Sequence, residues 1–222
     1  MKKGFIDTNL AIAFTFNFNS LHLKSDEVFK IYYQLFWSNF VKKEFYRRYY
    51  QKQENLLEFF LDLQVLLENP NKEFYSPFDL LNFTKNQYSG KKMNDAKSSI
   101  NPFWSEYFGI ENQVSFLNMK NSINHCLNDL SLNSYINKQY LESIMKLTPQ
   151  RIRSYDDIDN MLKSEGVKDA DRIVTLDGHD FACRSDDPID FVTFDEDCFN
   201  GASNIEILCF SSIKGKYDFE PS

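Results

Sequence analysis

Short apolar runs lie near the two ends of the chain and predict buried β-strands. They cover residues 4–6, 189–194 and 205–210. Residues 21–33 and 36–67 have apolar side chains about every 3.6 residues, and the second stretch has no glycine or proline, so both predict helices. Residues 154–164 and 168–176 show helical spacing with acidic side chains near their starts, which is typical of helix N-termini.

The middle of the chain, residues 72–153, differs in composition. It is rich in Asn, Ser, Lys and aromatic residues, and Ser-Pro, Ser-Gly and Asn-Pro dipeptides interrupt it. Helical spacing between the breaks predicts helices over residues 113–130 and 136–147. We therefore expect a single α/β domain of residues 1–222 with three-layer α/β/α architecture and a central parallel sheet, in which residues 72–153 form a helical insertion or cap.

Composition and charge narrow the class of protein. Apolar residues make up 42% of the 222 residues, which is typical of a globular chain, and a formal net charge of −7 disfavours a nucleic-acid binder with a generally basic surface. No apolar run reaches the roughly 18 residues of a membrane span. The four cysteines lack C-x-x-C spacing, so no zinc site is predicted. In the absence of a signal peptide we expect reduced thiols and a cytoplasmic location.

Four acidic positions stand in contexts that suit a functional site. Asp7 and Asp195 directly follow predicted strands. Glu44 lies on the long helix, and Asp169 or Asp171 opens a later helix. Each alone is also explained as a cap, a first-turn acid, a turn residue or a partner of nearby arginines. Carboxylates at strand ends gather at one edge of a parallel sheet, and clustered acids repel one another unless they hold a hard divalent cation. Metal-dependent phosphodiester hydrolysis is therefore the leading hypothesis.

The ordered set of motifs resembles that of PIN-domain nucleases. In that family the first strand ends in Asp, with Asn or Ser two residues later, as in Phe5-Ile6-Asp7-Thr8-Asn9. The family's helical Ser-x-x-Val-x-x-Glu pattern is similar to Ser38-Asn39-Phe40-Val41-Lys42-Lys43-Glu44. Its acidic helix start is similar to Lys168-Asp169-Ala170-Asp171, and its Thr-x-Asp-x-Asp run is similar to Thr193-Phe194-Asp195-Glu196-Asp197. The resemblance covers roughly the first 65 and last 70 residues. The segment between the second and third acids is far longer than in compact members of that family.

This resemblance implies a PIN-like fold and a metal-dependent endoribonuclease. The implied catalytic residues are four carboxylates that would bind Mg²⁺ or Mn²⁺: Asp7, Glu44, Asp169 and Asp195. Two further acids, Asp171 and Asp197, are candidate metal ligands. Two polar side chains, Asn9 and Thr193, would orient the carboxylates or the phosphate. Asp169 is preferred over Asp171 as the third acid, because it follows Lys168 and leaves Ile173 and Val174 facing the sheet, but both positions stay open.

Basic side chains near two of the acids are the candidate substrate contacts: Lys42, Lys43, Arg47, Arg48 and Arg172. The resemblance implies single-stranded RNA as the substrate and a toxin–antitoxin or defence system as the setting, with an antitoxin or another protein as partner. A homodimer is also open, and no membrane partner is expected. Two alternatives remain: a PIN fold with an idle metal site that serves as a binding module, and a structure-specific DNA nuclease.

Overall fold

The computed structural model of the chain describes residues 2–67, 73–84, 90–109, 113–204 and 209–215. The chain divides into two compact units. Unit 1 comprises Met1–Ile12, Lys24–Arg47 and Tyr140–Ser222, and unit 2 comprises Ala13–Leu23 and Arg48–Gln139. The predicted insertion, residues 72–153, therefore shares residues 72–139 with unit 2 and residues 140–153 with unit 1.

Unit 1 contains a five-stranded sheet in which all neighbouring strands are parallel. Its strands are β1 (Lys2–Ile6), β2 (Tyr32–Trp37), β3 (Met145–Leu147), β4 (Ile189–Val192) and β5 (Phe210–Lys214), in the order β3-β2-β1-β4-β5. The predicted α/β class and parallel central sheet are thus confirmed. The strand order is compatible with the predicted three layers, because right-handed crossovers that proceed in opposite directions from β1 place their connections on opposite faces.

The described helices belong to both units. They are α1 (Thr8–Thr15), α2 (His22–Ile31), α3 (Asn39–Leu66), α4 (Pro77–Thr84), α5 (Gly90–Phe108), α6 (Phe116–Ile144), α7 (Asp156–Ser164), α8 (Asp169–Cys183) and α9 (Glu196–Asn204). Helices α4 and α5 lie within unit 2, and α7, α8 and α9 lie within unit 1. In the part of the chain that the structure describes, none of these helices has the length and apolar character needed to cross a bilayer.

The central strand β1 and its neighbour β4 form the core of the sheet. Phe5 of β1 and Phe191 of β4 are fully buried and lie opposite each other in the parallel register. Their ring centroids are 6.1 Å apart, and Phe191 also stacks on Phe210 of β5 at 5.2 Å. This row of aromatic rings crosses three adjacent strands, so it stabilises the sheet and fixes the alignment of the strand ends.

Two strands differ from the sequence prediction, which assigned most of their residues to helices. Strand β2 contains three buried residues, Tyr32, Leu35 and Trp37, and β3 lies at the edge of the sheet. Each begins directly after a helix, since α2 ends at Ile31 and α6 ends at Ile144. Apolar spacing continues across both boundaries and conceals them. Strand β5 also lies later than predicted, and residues 205–208 of that prediction fall outside the described residues.

Helix α8 extends beyond its predicted end at Leu176 and continues to Cys183. Gly178 lies in the helix interior, where an added Cβ would come within 2.9 Å of Phe5 Cδ1. The absent side chain lets α8 approach β1 closely. That packing outweighs the low helix propensity of glycine, which is about 1 kcal/mol less favourable than alanine.

A disulfide joins Cys183, at the end of α8, to Cys209, directly before β5. The two Cα atoms are 5.0 Å apart. Cys126 and Cys198 are free and buried. This disulfide contradicts the reduced thiols that the sequence predicts for these two cysteines. Their pairing depends on β5 lying beside β4, and the local spacing of the cysteines does not reveal that contact.

Candidate active site

The candidate site lies at the carboxyl ends of the neighbouring strands β1 and β4. Asp7 directly follows β1, and Thr193 and Asp195 follow β4. From β1 the sheet extends through β2 and β3 on one side and through β4 and β5 on the other, so the order of strands reverses between β1 and β4. In open α/β sheets, ligands bind at such a reversal point.

Asp7 is held firmly by the ends of both strands. Its backbone N–H donates to the carbonyl of Val192 at 3.1 Å, which adds one hydrogen bond beyond the end of β1. The carboxylate is 4% exposed. One oxygen accepts the N–H of Leu10 at 2.9 Å and thereby caps α1, and the other accepts the Thr193 hydroxyl at 2.5 Å. Asp7 is therefore both a helix cap and a buried carboxylate of the site.

Asp195 is fixed in a similar way at the start of α9. One of its oxygens accepts the Cys198 N–H at 3.0 Å, and the other accepts the Asn9 amide at 3.2 Å. The Asp195 N–H donates to the Thr193 hydroxyl oxygen at 2.9 Å. Thr193 thus links Asp7 to Asp195. The structure places both predicted supporting residues, Asn9 and Thr193, in contact with carboxylates of the site.

Glu44 reaches the site through Thr8, the residue after Asp7. The Thr8 hydroxyl donates to Glu44 Oε2 at 2.6 Å. Helix α3 begins beside the end of β2, where the Ser38 hydroxyl oxygen accepts the Val41 N–H at 3.2 Å and caps the helix. Because β2 neighbours β1, this start brings Glu44 to the same edge as Asp7.

The structure does not bring Asp169 to the other acids. Its side chain is 93% exposed and accepts a hydrogen bond from Arg172 at 2.8 Å. Arg172 also donates to Asp159 at 2.9 Å, so this guanidinium bridges two acids on α7 and α8. The contacts of Asp169 are those of a first-turn surface acid, and the preference for it as the third acid finds no support in its position.

Asp171, two residues later on α8, differs from Asp169 in burial and in the groups on which its charge acts. It is half-buried, and it acts on Cys198, whose side chain is almost fully buried on α9. Burial raises the pKa of the Cys198 thiol, and the negative charges of Asp7, Asp171 and Asp195 raise it further, against a hydrogen bond from Thr175 that lowers it. The charges of three carboxylates therefore act on one buried thiol, and Asp171 is the third of them.

Asp197 lies on the rim, paired with Lys168. The Lys168 ammonium is 2.9 Å from Asp197 Oδ2, and both side chains are more than half exposed. The hydrogen bond to Asp197 raises the pKa of Lys168, and the charges of Asp197, Asp195 and Asp171 raise it further. The exposed ammonium of Lys168 is therefore close enough to these three acids to be stabilised by their charges. Sequence analysis did not assign a site function to Lys168, Thr8 or Cys198, although all three flank the predicted motifs.

The predicted basic contacts fall in different places. Arg172 is occupied by Asp159 and Asp169. Arg47 is largely exposed, with a guanidinium nitrogen 3.7 Å from Glu44 Oε1. Lys43 lines a polar cleft of about 420 Å³ at the ends of β2 and β3. Lys42 and Arg48, the other two predicted contacts on α3, are both half-buried. Lys42 belongs to unit 1 and Arg48 to unit 2.

The spacing of the acids limits how they could hold a cation. Among the described residues, no three of these carboxylates bring oxygens within 4.8 Å of one another. The donors are nonetheless all oxygen atoms, which suit Mg²⁺ and Mn²⁺. Mg²⁺ keeps several of its waters and binds through one or two carboxylates, so a wide group of acids fits it better than a tight cage would.

Comparisons with protein-family models, with curated proteins and with solved structures find no match for this chain.

Proposed function

We propose that the chain is a divalent-metal-dependent endonuclease with a PIN-like fold, and that it cleaves single-stranded RNA. The observation that supports this is that Thr193 joins Asp7 to Asp195 at the reversal point of the sheet, where the charges of Asp7, Asp171 and Asp195 all act on the buried Cys198 thiol. Like charges repel, so three carboxylates in one place reduce stability unless they serve a cationic ligand. The choice of RNA rests on the resemblance of the ordered motifs to those of PIN-domain nucleases.

In this proposal the three carboxylates around Cys198 would hold Mg²⁺ or Mn²⁺, and Glu44 would contribute from the Thr8 side of the site. When bound, such an ion lowers the pKa of a coordinated water and stabilises the charge that develops on a phosphate. The contribution of the chain is to fix its ligands in advance. Both Asp7 oxygens already accept hydrogen bonds, and Thr193 ties Asp7 to the Asp195 backbone, so little reordering is needed when a ligand arrives.

Lys168 supplies the positive charge that a nucleic acid needs in a site rich in acids. Its ammonium is exposed beside Asp197 and within the field of Asp171 and Asp195. A phosphate would compete with Asp197 for this ammonium, so Lys168 is the proposed substrate contact on this rim.

Cleavage assays on the chelator-treated protein test the proposal. Labelled single-stranded RNA and DNA of the same sequence are incubated with Mn²⁺, with Mg²⁺ and with chelator alone. We expect RNA to be cut in the presence of either ion and left intact in chelator. Asp195→Asn should be inactive while its circular dichroism spectrum matches the wild type. Faster cutting of DNA would favour the DNA nuclease, and metal-independent cutting would contradict the proposal.

A second candidate, a non-catalytic binding module with the same fold, is favoured by one set of contacts. Glu44 is paired with Arg47, and Asp197 with Lys168, so part of the negative charge is balanced without a cation. Calorimetric titration with Mn²⁺ separates the candidates. The nuclease requires Mn²⁺ binding that Asp195→Asn abolishes, whereas the binding module predicts no such binding and no cleavage.

A further inference from the structure

A second group of metal-ligating side chains lies at the opposite edge of the sheet from the acids. His179 and Cys183 are one turn apart on α8, and Cys209 directly precedes β5. One ligand atom from each lies within 4.8 Å of the others, and within the described residues this is the one group of three that does so. About 18 Å of helix separates Cys183 from Asp171, so the group is independent of the proposed nuclease site.

The donors in this group are an imidazole and two sulphurs, which favour Zn²⁺ over Mg²⁺. Cys183 Sγ lies 3.6 Å from His179 Nε2. Tetrahedral Zn²⁺ with Zn–S of about 2.3 Å and Zn–N of about 2.05 Å places a sulphur and a nitrogen ligand about 3.6 Å apart. His179 and Cys183 therefore already have the spacing of two ligands of one ion.

The surroundings hold His179 in this orientation. The side chain is buried, and its ring packs edge-on against Tyr155 at 4.9 Å and against Phe210 at 6.3 Å. Its second nitrogen, Nδ1, is buried and has no hydrogen-bond partner among the described residues. Nε2, which lies beside Cys183, is therefore the ring nitrogen available to an ion.

We propose that His179, Cys183 and Cys209 form a Zn²⁺ site when the Cys183–Cys209 disulfide is reduced. A dithiol reductant transfers two electrons and two protons to the two sulphurs and itself becomes a disulfide. Zn²⁺ then displaces the two thiol protons and binds the neutral imidazole. Cys183 is exposed and Cys209 half-buried, so the ion enters from solvent and water occupies the fourth position. The disulfide offers no thiolate, so the oxidised chain does not bind Zn²⁺ at this site.

The full chain tests this without any substitution. It is reduced with a dithiol, freed of reductant without air and titrated with Zn²⁺ against a chromogenic chelator, beside the oxidised chain. We expect the reduced chain to bind one Zn²⁺ more than the oxidised chain, and oxidation to weaken binding at this site at least about 100-fold, because even the loss of partners outside the first shell weakens metal sites about 10- to 100-fold. Co²⁺ should give a thiolate-to-metal charge-transfer band in the reduced chain. Equal Zn²⁺ affinity of both forms would overturn the proposal.

Variants locate the ion. His179→Gln keeps the disulfide and should weaken Zn²⁺ binding by the reduced chain at least about 100-fold. Cys126→Ser, which removes a buried thiol from unit 2, is the matched control and should bind like the wild type. Asp195→Asn should also retain Zn²⁺ affinity. Unchanged affinity in His179→Gln, or loss of Zn²⁺ binding in Asp195→Asn, would place the ion elsewhere and refute the assignment.

Discussion

Asp7→Asn and Asp7→Ala should differ in stability, because the two side chains differ in the hydrogen bonds they can replace. The Asp7 carboxylate accepts the Leu10 N–H and the Thr193 hydroxyl. Asparagine keeps an oxygen for Leu10 and is as good an N-cap as aspartate. Its amide group donates to the Thr193 oxygen, which has two lone pairs and can still accept the Asp195 N–H. Alanine replaces neither bond.

The magnitudes follow from these contacts. Exchanging a charge-assisted hydrogen bond for a neutral one costs about 1 kcal/mol. Removing one of three clustered negative charges regains a similar amount, roughly 1 kcal/mol, in the absence of a cation. Asp7→Asn should therefore lie within about 1 kcal/mol of the wild type. Asp7→Ala loses the cap, about 1 kcal/mol, and has no side-chain hydrogen bond to Thr193, about 1 kcal/mol more, so it should be about 2 kcal/mol less stable than Asp7→Asn.

Urea unfolding followed by circular dichroism at pH 7 in chelator measures these differences. Asp169→Asn, on an exposed side chain, is the control and should stay within about 0.5 kcal/mol of the wild type. If Asp7→Asn is destabilised as much as Asp7→Ala, the charge of Asp7 itself would be stabilising. The inference that these acids repel one another in the absence of a cation would then be wrong.

Three further predictions concern Gly178, Asp177 and the two free thiols. Gly178→Ala should destabilise the protein by about 1–3 kcal/mol in thermal unfolding, because the new Cβ meets Phe5, and a stabilised variant would contradict the close approach of α8 to β1. Burial raises the pKa of Asp177 above its usual 3.8, so the charged carboxylate reduces stability at pH 7. Asp177→Asn should therefore unfold at an equal or higher urea concentration than the wild type at pH 7, and this advantage should shrink toward pH 3.8. A difference in urea midpoint that does not change with pH would exclude this cause. Burial also raises the pKa of Cys126 and Cys198, so alkylation of the reduced native chain at pH 8 should modify two thiols and leave these two unmodified until unfolding.

The parts of the site that could be predicted from the sequence are those set by strand ends. Asp7 and Asp195 follow apolar runs that form neighbouring parallel strands, so topology alone brings them to one edge. The choice between Asp169 and Asp171 could not be made in this way. Two residues of a helix start differ by about 200° in direction, so the outcome depends on the rotation of α8 against the sheet, which the pattern of apolar residues did not settle.

The parts that were missed depend on contacts between distant segments. Strand β2 follows α2 without a break in apolar spacing, so only pairing with β1 distinguishes strand from helix. The Cys183–Cys209 pair depends on where β5 enters the sheet. One signal was present in the sequence and was not used: His179 and Cys183 are four residues apart, which places two potential ligands on the same face of a helix.

The cleavage rate of one matched pair of variants tests the central claim most directly. Asp171→Asn and Asp169→Asn remove the same charge two residues apart on α8, one beside Cys198 and one exposed beside Arg172. With single-stranded RNA and Mn²⁺, we predict at least about a 100-fold loss of rate in Asp171→Asn, because a proposed metal ligand is removed. Asp169→Asn should stay within about twofold, since it loses only a surface ion pair. Equal rates in the two variants, or the larger loss in Asp169→Asn, would contradict the site described here.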